Sequence, residues 1–193
     1  MPRKYVLALI VITFVFFGGI FLLVRLISGG GNDKPKEPKT SQVQKTNKLS
    51  TDAKKVSYTV YGRVLGEEDR RAIRITIDDF ERKMEVLQGY DENVIQTERA
   101  PNKTSAFEAF LLALETSGFT TRDTSIKTDD RAVCPLGNRY VFEAEFDDTT
   151  TIRTWATTCS TKGVSFRGSR PSVDTLFKAQ IPKYSDLTQS IVL

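Results

Sequence analysis

The feature that most constrains this chain is an uncharged apolar run of 20 residues, 5–24. Fifteen of these residues are Val, Leu, Ile or Phe, and a helix of this length spans about 30 Å, the thickness of the hydrocarbon core of a membrane. A core helix this long would normally keep a polar face, and the apolar region of a cleaved signal peptide is usually shorter. We therefore expect a transmembrane anchor over residues 1–28, with a cleaved signal peptide as the alternative.

A count of the charges that flank the apolar run does not by itself decide the orientation of the run in the membrane. Arg3 and Lys4 precede it, whereas Arg25 and three lysines follow it within the distance over which the positive-inside bias acts. The N-terminal pair lies immediately beside the run, as in a signal-anchor, and large domains are translocated largely regardless of their charge. We therefore predict a single-pass protein of the cell membrane with a cytoplasmic N-terminus and an extracytoplasmic domain.

Residues 29–55 have the composition of a flexible tether. Three consecutive glycines, 29–31, end the apolar helix, and Lys, Pro, Thr, Gln, Ser and Asn dominate the rest of the segment. Because so little apolar surface cannot offset the entropy of ordering, we expect a disordered linker over residues 29–55.

The basic character of the chain is confined to the anchor and this linker. The whole chain carries a net charge of +4, but residues 1–31 carry +3 and residues 32–55 carry +4. Residues 56–193 therefore carry −3, which is unlike the basic surface that nucleic acids require. We expect no nucleic-acid partner. The anchor implies the membrane as a partner, and an envelope protein or a wall polymer is the candidate ligand.

Residues 56–193 carry the period-two alternation that predicts an antiparallel meander. Apolar residues alternate along five segments, with shorter strands expected at 94–95 and 164–166. The five segments are Val56/Tyr58/Val60/Val64, Ile73/Ile75/Ile77, Phe80/Met84/Val86, Tyr140/Phe142/Ala144/Phe146 and Ile152/Thr154/Ala156.

Two helices are expected between and after these strands. The first is predicted over residues 105–117, where Ser105 and Glu108 form a capping-box pattern and Gly118 is typical of a helix end. The second is predicted to be capped by Ser172 and to stop before Pro182. The order predicts an α+β domain over residues 56–193, with a mostly antiparallel sheet and two helices packed on one face.

Cys134 and Cys159 flank the second predicted hairpin. If the chain reverses near residues 147–148, the two cysteines lie 13 and 11 residues from the turn and are roughly opposite each other. An even number of cysteines in a translocated domain favours a disulfide. Two buried free thiols in a cytoplasmic domain are the alternative.

The composition excludes many kinds of catalytic site. The chain has no histidine, which excludes Ser-His-Asp, Cys-His and His-ligated metal sites. Glycine-rich phosphate loops and an SxxK pair are absent from the sequence. The acidic doublets at 78–79, 129–130 and 147–148 lie at predicted turns, where aspartate is favoured for its backbone hydrogen bonds. We therefore predict no catalytic residue, no metal ligand and no cofactor.

Trp155 and Arg153 are the candidate ligand-facing residues. Both lie on the strand face that also carries Thr157 and Cys159. The Trp155 ring can stack on a ligand or pack against the disulfide, and we favour packing.

Three short motifs stand out near the C-terminus: CPLGNRY at 134–140, RTWATTC at 153–159 and QIPKY at 180–184. Together with the anchor they resemble a pattern in small single-pass, membrane-anchored bacterial envelope proteins that have no assigned activity. The resemblance implies a disulfide between the two cysteines and an extracytoplasmic location of the domain, and it brings no catalytic residues. A type IV pilin-like subunit fits less well, because the apolar run has no acidic residue and three glycines follow it.

These features predict a non-enzymatic binding or assembly module of the cell envelope, anchored in the membrane, whose ligand the sequence does not identify. An envelope hydrolase or transferase that uses carboxylates is the alternative, and a pilin-like subunit is the second. Two convergent carboxylates with shifted pKa values in a pocket would favour the hydrolase or transferase.

Overall fold

The computed structural model describes residues 43–44, 49–126, 129–131, 133–146, 151–160 and 162–193. They belong to the second of the two units into which the chain divides, Ser41–Leu193. The helices within these residues are α1 (Leu49–Asp52), α2 (Thr104–Thr116), α3 (Arg170–Gln180) and α4 (Tyr184–Thr188). The strands are β1 (Val43–Gln44), β2 (Lys55–Tyr61), β3 (Arg71–Asp78), β4 (Glu81–Gln88), β5 (Asn93–Pro101), β6 (Arg122–Asp123), β7 (Arg139–Glu145) and β8 (Thr151–Thr157).

Six strands form one antiparallel sheet in the order β5-β4-β3-β2-β7-β8, and β1 pairs with β6 in a separate ribbon. β2 lies inside the sheet, between β3, which follows it in the chain, and β7, which comes only after α2. The predicted α+β class and its mostly antiparallel sheet are therefore confirmed.

The core lies between one face of this sheet and the helices. The alternating apolar residues predicted for β2, β3, β7 and β8 are buried on that face, for example Val56, Ile75 and Phe142. Phe107 and Leu114 of α2 and Phe177 of α3 belong to the same cluster. Both predicted helices therefore pack on one face of the sheet.

Tyr58 of β2 lies near the middle of this core. Its ring centre is 5.4 Å from the ring centre of Phe142 and 5.4 Å from that of Phe177. The buried hydroxyl donates a hydrogen bond to Asp174 Oδ1 of α3 over 2.7 Å, which satisfies a polar group that would otherwise be costly to bury. Burial and the Asp174 carboxylate raise the pKa of Tyr58 far above its usual value.

The folded region begins before Val56, the boundary expected from the sequence. Residues 49–52 form one turn of helix, and Leu49 is fully buried in the main core. The backbone N–H of Lys54 then donates to Glu145 O over 2.8 Å, at the start of β2. The C-terminal end of the predicted disordered linker is thus ordered, because one leucine in a polar segment finds a place in the core.

The helix ends differ partly from the sequence prediction. α2 begins at Thr104 after Lys103, which makes no side-chain capping bond, so the predicted capping box of Ser105 and Glu108 is wrong. Its other end is as predicted: Gly118 has φ +75°, and the N–H of Phe119 bonds to Leu114 O over 3.0 Å.

α3 begins three residues earlier than expected from the predicted cap at Ser172. Its N-cap is Ser169, and Pro171 occupies the first turn, where the missing N–H of proline has no cost.

Some strand predictions also need correction. Val64 is exposed beyond the end of β2, and Phe80 is exposed in the turn between β3 and β4. Residues 164–166 form a single bridge from Phe166 to Arg122 instead of a strand. β5 covers nine residues instead of two, and its exposed edge position explains why it lacks apolar alternation.

The predicted anchor at 1–28, most of the linker and the Asp147-Asp148 turn lie outside the described residues. Among the helices of the described part, none combines the length and the apolar character that crossing a membrane requires.

Candidate functional site

A cavity of about 420 Å³ lies at one end of the sheet, on the face turned away from the core helices. It is bounded by the C-terminal end of β2, the N-terminal end of β7, the loops 62–70 and 89–92, and the described residues 130–131 and 133–134. Its size falls within the usual range of sites for small ligands. Its polar lining consists of Tyr61, Arg70, Tyr90, Glu92, Asp130, Arg131, Arg139 and Arg153.

Two arginines and two tyrosines alternate along this cavity, and we call these four residues the arginine–tyrosine ladder. The guanidinium carbon of Arg70 lies 4.6 Å from the ring centre of Tyr90 and 5.3 Å from that of Tyr61. The guanidinium carbon of Arg139 lies 4.9 Å from the Tyr61 ring centre. Strand register causes the last contact, since Tyr61 of β2 and Arg139 of β7 are direct cross-strand partners. All three distances fit cation–π attraction.

Arg70 is the most enclosed cation of the ladder, with 6% of its surface exposed. Its Nη1 donates a hydrogen bond to the backbone oxygen of Gly89. Among the described residues it forms no ion pair with a carboxylate. Its Nε and Nη2 have no hydrogen-bond partner among the described residues. Because Arg70 lines the cavity, these donors are the ones that it can offer to a ligand there.

The loop that carries Arg70 is fixed to the turn between β4 and β5. Glu67 Oε1 accepts a hydrogen bond from the N–H of Tyr90 over 2.9 Å, and the Tyr90 hydroxyl donates to Leu65 O over 3.0 Å. Gly89 has φ +75°, and a Cβ at this position would lie 1.9 Å from Glu67 Oε1. The positive φ favours glycine at this position, and a larger residue would also displace the Glu67 carboxylate that bonds to Tyr90.

The negative charge of Glu92, at the edge of the cavity, is balanced by an ion pair. Glu92 forms an ion pair with Arg74 and accepts a hydrogen bond from the Tyr61 hydroxyl over 2.8 Å. Burial, together with the bond to Glu92, raises the pKa of Tyr61 to about 12. Tyr61 is therefore a neutral hydroxyl at physiological pH and cannot act there as a base.

Asp130 is buried and is held by two arginines. Its Oδ1 accepts a hydrogen bond from Arg153 Nη2 over 2.6 Å, and its Oδ2 lies 3.7 Å from Arg139 Nη1. Arg153 also pairs with Glu143, its cross-strand partner, over 3.2 Å. Two cations compensate the charge that burial would otherwise penalise. Next to it, the side chain of Arg131 holds the pKa of Asp129 below its usual range.

The disulfide forms part of the cavity wall. Cys134, which lines the cavity, is bonded to Cys159, with Cα atoms 5.5 Å apart, so the predicted disulfide is confirmed. The neighbouring Pro135 oxygen accepts a hydrogen bond from the N–H of Val64 over 2.7 Å. The disulfide loop and the loop that carries Arg70 are thus joined directly.

The two predicted ligand-facing residues have different environments. Arg153 lines the cavity, but Trp155 is buried against Val141 and Val164 in a small cluster on the same face of the sheet. Trp155 is thus a packing residue, but it packs on these valines and not, as expected, on the disulfide. The Trp155 side chain has no surface on which a ligand could stack.

Sequence reasoning missed Arg70, Tyr61, Tyr90 and Arg139. Arg70 and Tyr90 lie in loops, where arginine and tyrosine are ordinary surface residues in any sequence. Only Tyr61 and Arg139 left a usable signal, because correct pairing of β2 with β7 places them opposite each other.

The arrangement is suited to binding more than to bond cleavage. Both carboxylates that line the cavity, Glu92 and Asp130, form ion pairs with arginines. The Tyr61 hydroxyl is a neutral hydrogen-bond donor. Within the described residues, no cluster of three acidic or cysteine side chains is arranged to hold a metal ion. Neither a protein-family model nor a curated protein matches this sequence.

Proposed function

We propose that this chain is a binding or assembly module of the cell envelope, anchored in the membrane and exposed on the extracytoplasmic side, and that the sheet-end cavity is its ligand site. The observation that carries the proposal is the cavity itself. It is preformed, lined by an ordered ladder of arginines and tyrosines, and reinforced by a disulfide. Such concave sites with a few convergent polar groups are typical of ligand binding.

Two features support the proposed location. The disulfide between Cys134 and Cys159 favours an oxidising compartment, since cytoplasmic thiols are kept reduced. The apolar run at 5–24 is long enough to anchor the chain in the membrane. Both features agree with the resemblance to small single-pass bacterial envelope proteins, and we propose the same setting for this chain.

The ion pairs of the cavity support binding over catalysis. A general acid needs a carboxyl group that keeps its proton near neutral pH. The Asp129 carboxylate has the opposite tendency, because hydrogen bonds from Arg131 lower its pKa. Glu92 and Asp130 each form an ion pair with at least one guanidinium group.

Site-specific photo-crosslinking in intact cells tests this function. A benzophenone amino acid at Val64, an exposed residue of the cavity wall, is expected to capture the ligand. The matched control is the same replacement at Leu112, which is similarly exposed on α2 and lies away from the cavity. Adducts at residue 64 that are absent at residue 112 would support the proposal. Identical adducts at both positions, or no adduct at residue 64, would contradict it.

A further inference from the structure

We propose that the cavity binds an oxyanion, a phosphate or carboxylate group, and that Arg70 is the residue that binds it. This inference rests on the proposed function, because it assigns a ligand class to the same cavity. It follows from the charges of the cavity, from the free donors of Arg70 and from the enclosure of that side chain.

Charge counting leaves one cation unmatched. The cavity and the ion pairs attached to it contain five guanidinium groups and four carboxylates among the described residues. Glu92 is matched by Arg74, Asp129 by Arg131, and the pair Asp130 and Glu143 by Arg139 and Arg153. The unmatched group is Arg70.

No neighbouring carboxylate supplies the missing charge. Glu67, Glu68 and Asp69 precede Arg70 in the same loop, but none of them forms an ion pair with Arg70 in the described part of the chain, and Glu67 Oε1 accepts a hydrogen bond from the backbone N–H of Tyr90 instead. The arginine is stabilised instead by the faces of Tyr61 and Tyr90 and by one carbonyl oxygen. These contacts hold the guanidinium plane in place without neutralising it.

The free donors of Arg70 give the ligand class. A guanidinium group has five N–H donors in a planar fork that matches the two oxygens of a carboxylate or phosphate. The bond to Gly89 O uses Nη1, whereas Nε and Nη2 of this cavity-lining side chain have no hydrogen-bond partner among the described residues. Because a buried ion pair is screened by salt much less than an exposed one, binding of an oxyanion here should depend less on ionic strength than binding at a surface arginine.

The same features limit the size of the ligand. The bound group has to enter a cavity of about 420 Å³, so the ligand is a small molecule or the terminal group of a larger one. The net charge of −3 on residues 56–193 disfavours an extended polyanion, which would meet repulsion away from the cavity.

Calorimetric titration of the full-length protein in detergent micelles tests the inference. The probes are glycerol 3-phosphate for phosphate, succinate for carboxylate and glycerol as the neutral control. Arg70→Gln removes the unmatched charge, and Arg70→Lys keeps the charge but loses the fork. Arg63→Gln is the matched control, because Arg63 is exposed in the same loop and does not line the cavity. Far-UV circular dichroism checks that each variant is folded.

We expect at least one anion to bind and glycerol not to bind. Arg70→Gln should weaken binding roughly 10- to 100-fold, as loss of a hydrogen-bonded charge requires, while Arg63→Gln leaves it unchanged. The affinity of Arg70→Lys for the anion should lie between those of the wild type and Arg70→Gln. If Arg70→Gln is unfolded, the comparison of Arg70→Lys with the wild type tests the role of Arg70. The preferred probe distinguishes a phosphate-bearing from a carboxylate-bearing ligand.

Three outcomes would overturn the inference: no anion bound by the wild type, equal binding by folded Arg70→Gln or Arg70→Lys, or glycerol bound as well as the anions. None of these removes the proposed function, which the crosslink at residue 64 decides independently.

Discussion

Replacement of Leu49 by alanine tests whether the folded domain begins where the structure places it. Leu49 is completely buried, although it lies in a stretch with the composition of a linker. Leucine-to-alanine changes in protein cores cost about 2–5 kcal/mol, and less where the surroundings can collapse into the space. Since α1 is only four residues long and can shift, we expect a loss of about 2–3 kcal/mol in the free energy of unfolding.

Urea denaturation of residues 41–193 measures this loss. The single tryptophan, Trp155, is buried, so its fluorescence reports unfolding. Leu112→Ala is the matched control, because Leu112 is exposed and its loss should change stability by no more than about 0.5 kcal/mol. A domain that starts at residue 56 should be destabilised at least as much as Leu49→Ala. If Leu49→Ala and the shortened domain are both as stable as the control, residues 49–55 are a tether and the burial argument is wrong.

Three further predictions concern the disulfide, acid stability and topology. Cys134→Ser and Cys159→Ser should each cost about 2–4 kcal/mol in chemical denaturation, and the double variant no more than either, because each single change already removes the bond. Hydrogen bonds from Ser125, followed by Arg167, lower the pKa of Asp123 to about 2. The contribution of the Asp123 carboxylate to the free energy of unfolding is therefore complete above the unfolded pKa of about 4, and it is lost as the pH falls toward 2. The stability difference between wild type and Asp123→Asn should accordingly shrink over that pH range, and a constant difference would refute the assignment. Protease added to intact cells should cleave the chain N-terminal to Leu49 and so release the folded domain. Complete protection of the domain would place it in the cytoplasm.

The sheet was predictable because each central strand buries one face. Alternation at residues such as Ile73, Ile75 and Ile77 is a direct consequence of that burial. β5 was underestimated because it is an edge strand, and neither face of it imposes a pattern. Leu49 was missed because a single apolar residue in a polar segment forms no periodic hydrophobic pattern. Its burial becomes visible only in the assembled core.

The site was much less predictable than the fold. The disulfide could be expected from the number of cysteines and the hairpin between them. The ladder could not, since Tyr61, Arg70, Tyr90 and Arg139 come from four separate parts of the chain. The sequence does not show whether a carboxylate will lie beside a given arginine in the fold. Arg70 is distinguished by this property, because it forms no ion pair with a carboxylate among the described residues.

The pairing of β2 with both β3 and β7 has a consequence for the order of folding. The β2–β3 and β3–β4 pairs are local in sequence and can close early, whereas β2 meets β7 only after α2 and the following loops have been synthesised. The Tyr61–Arg139 contact depends on this late step, and so does the cavity wall that contains Cys134. A chain that is only partly folded therefore lacks a finished cavity, and the anion binding that we propose should appear only after the β2–β7 pair and the disulfide have formed.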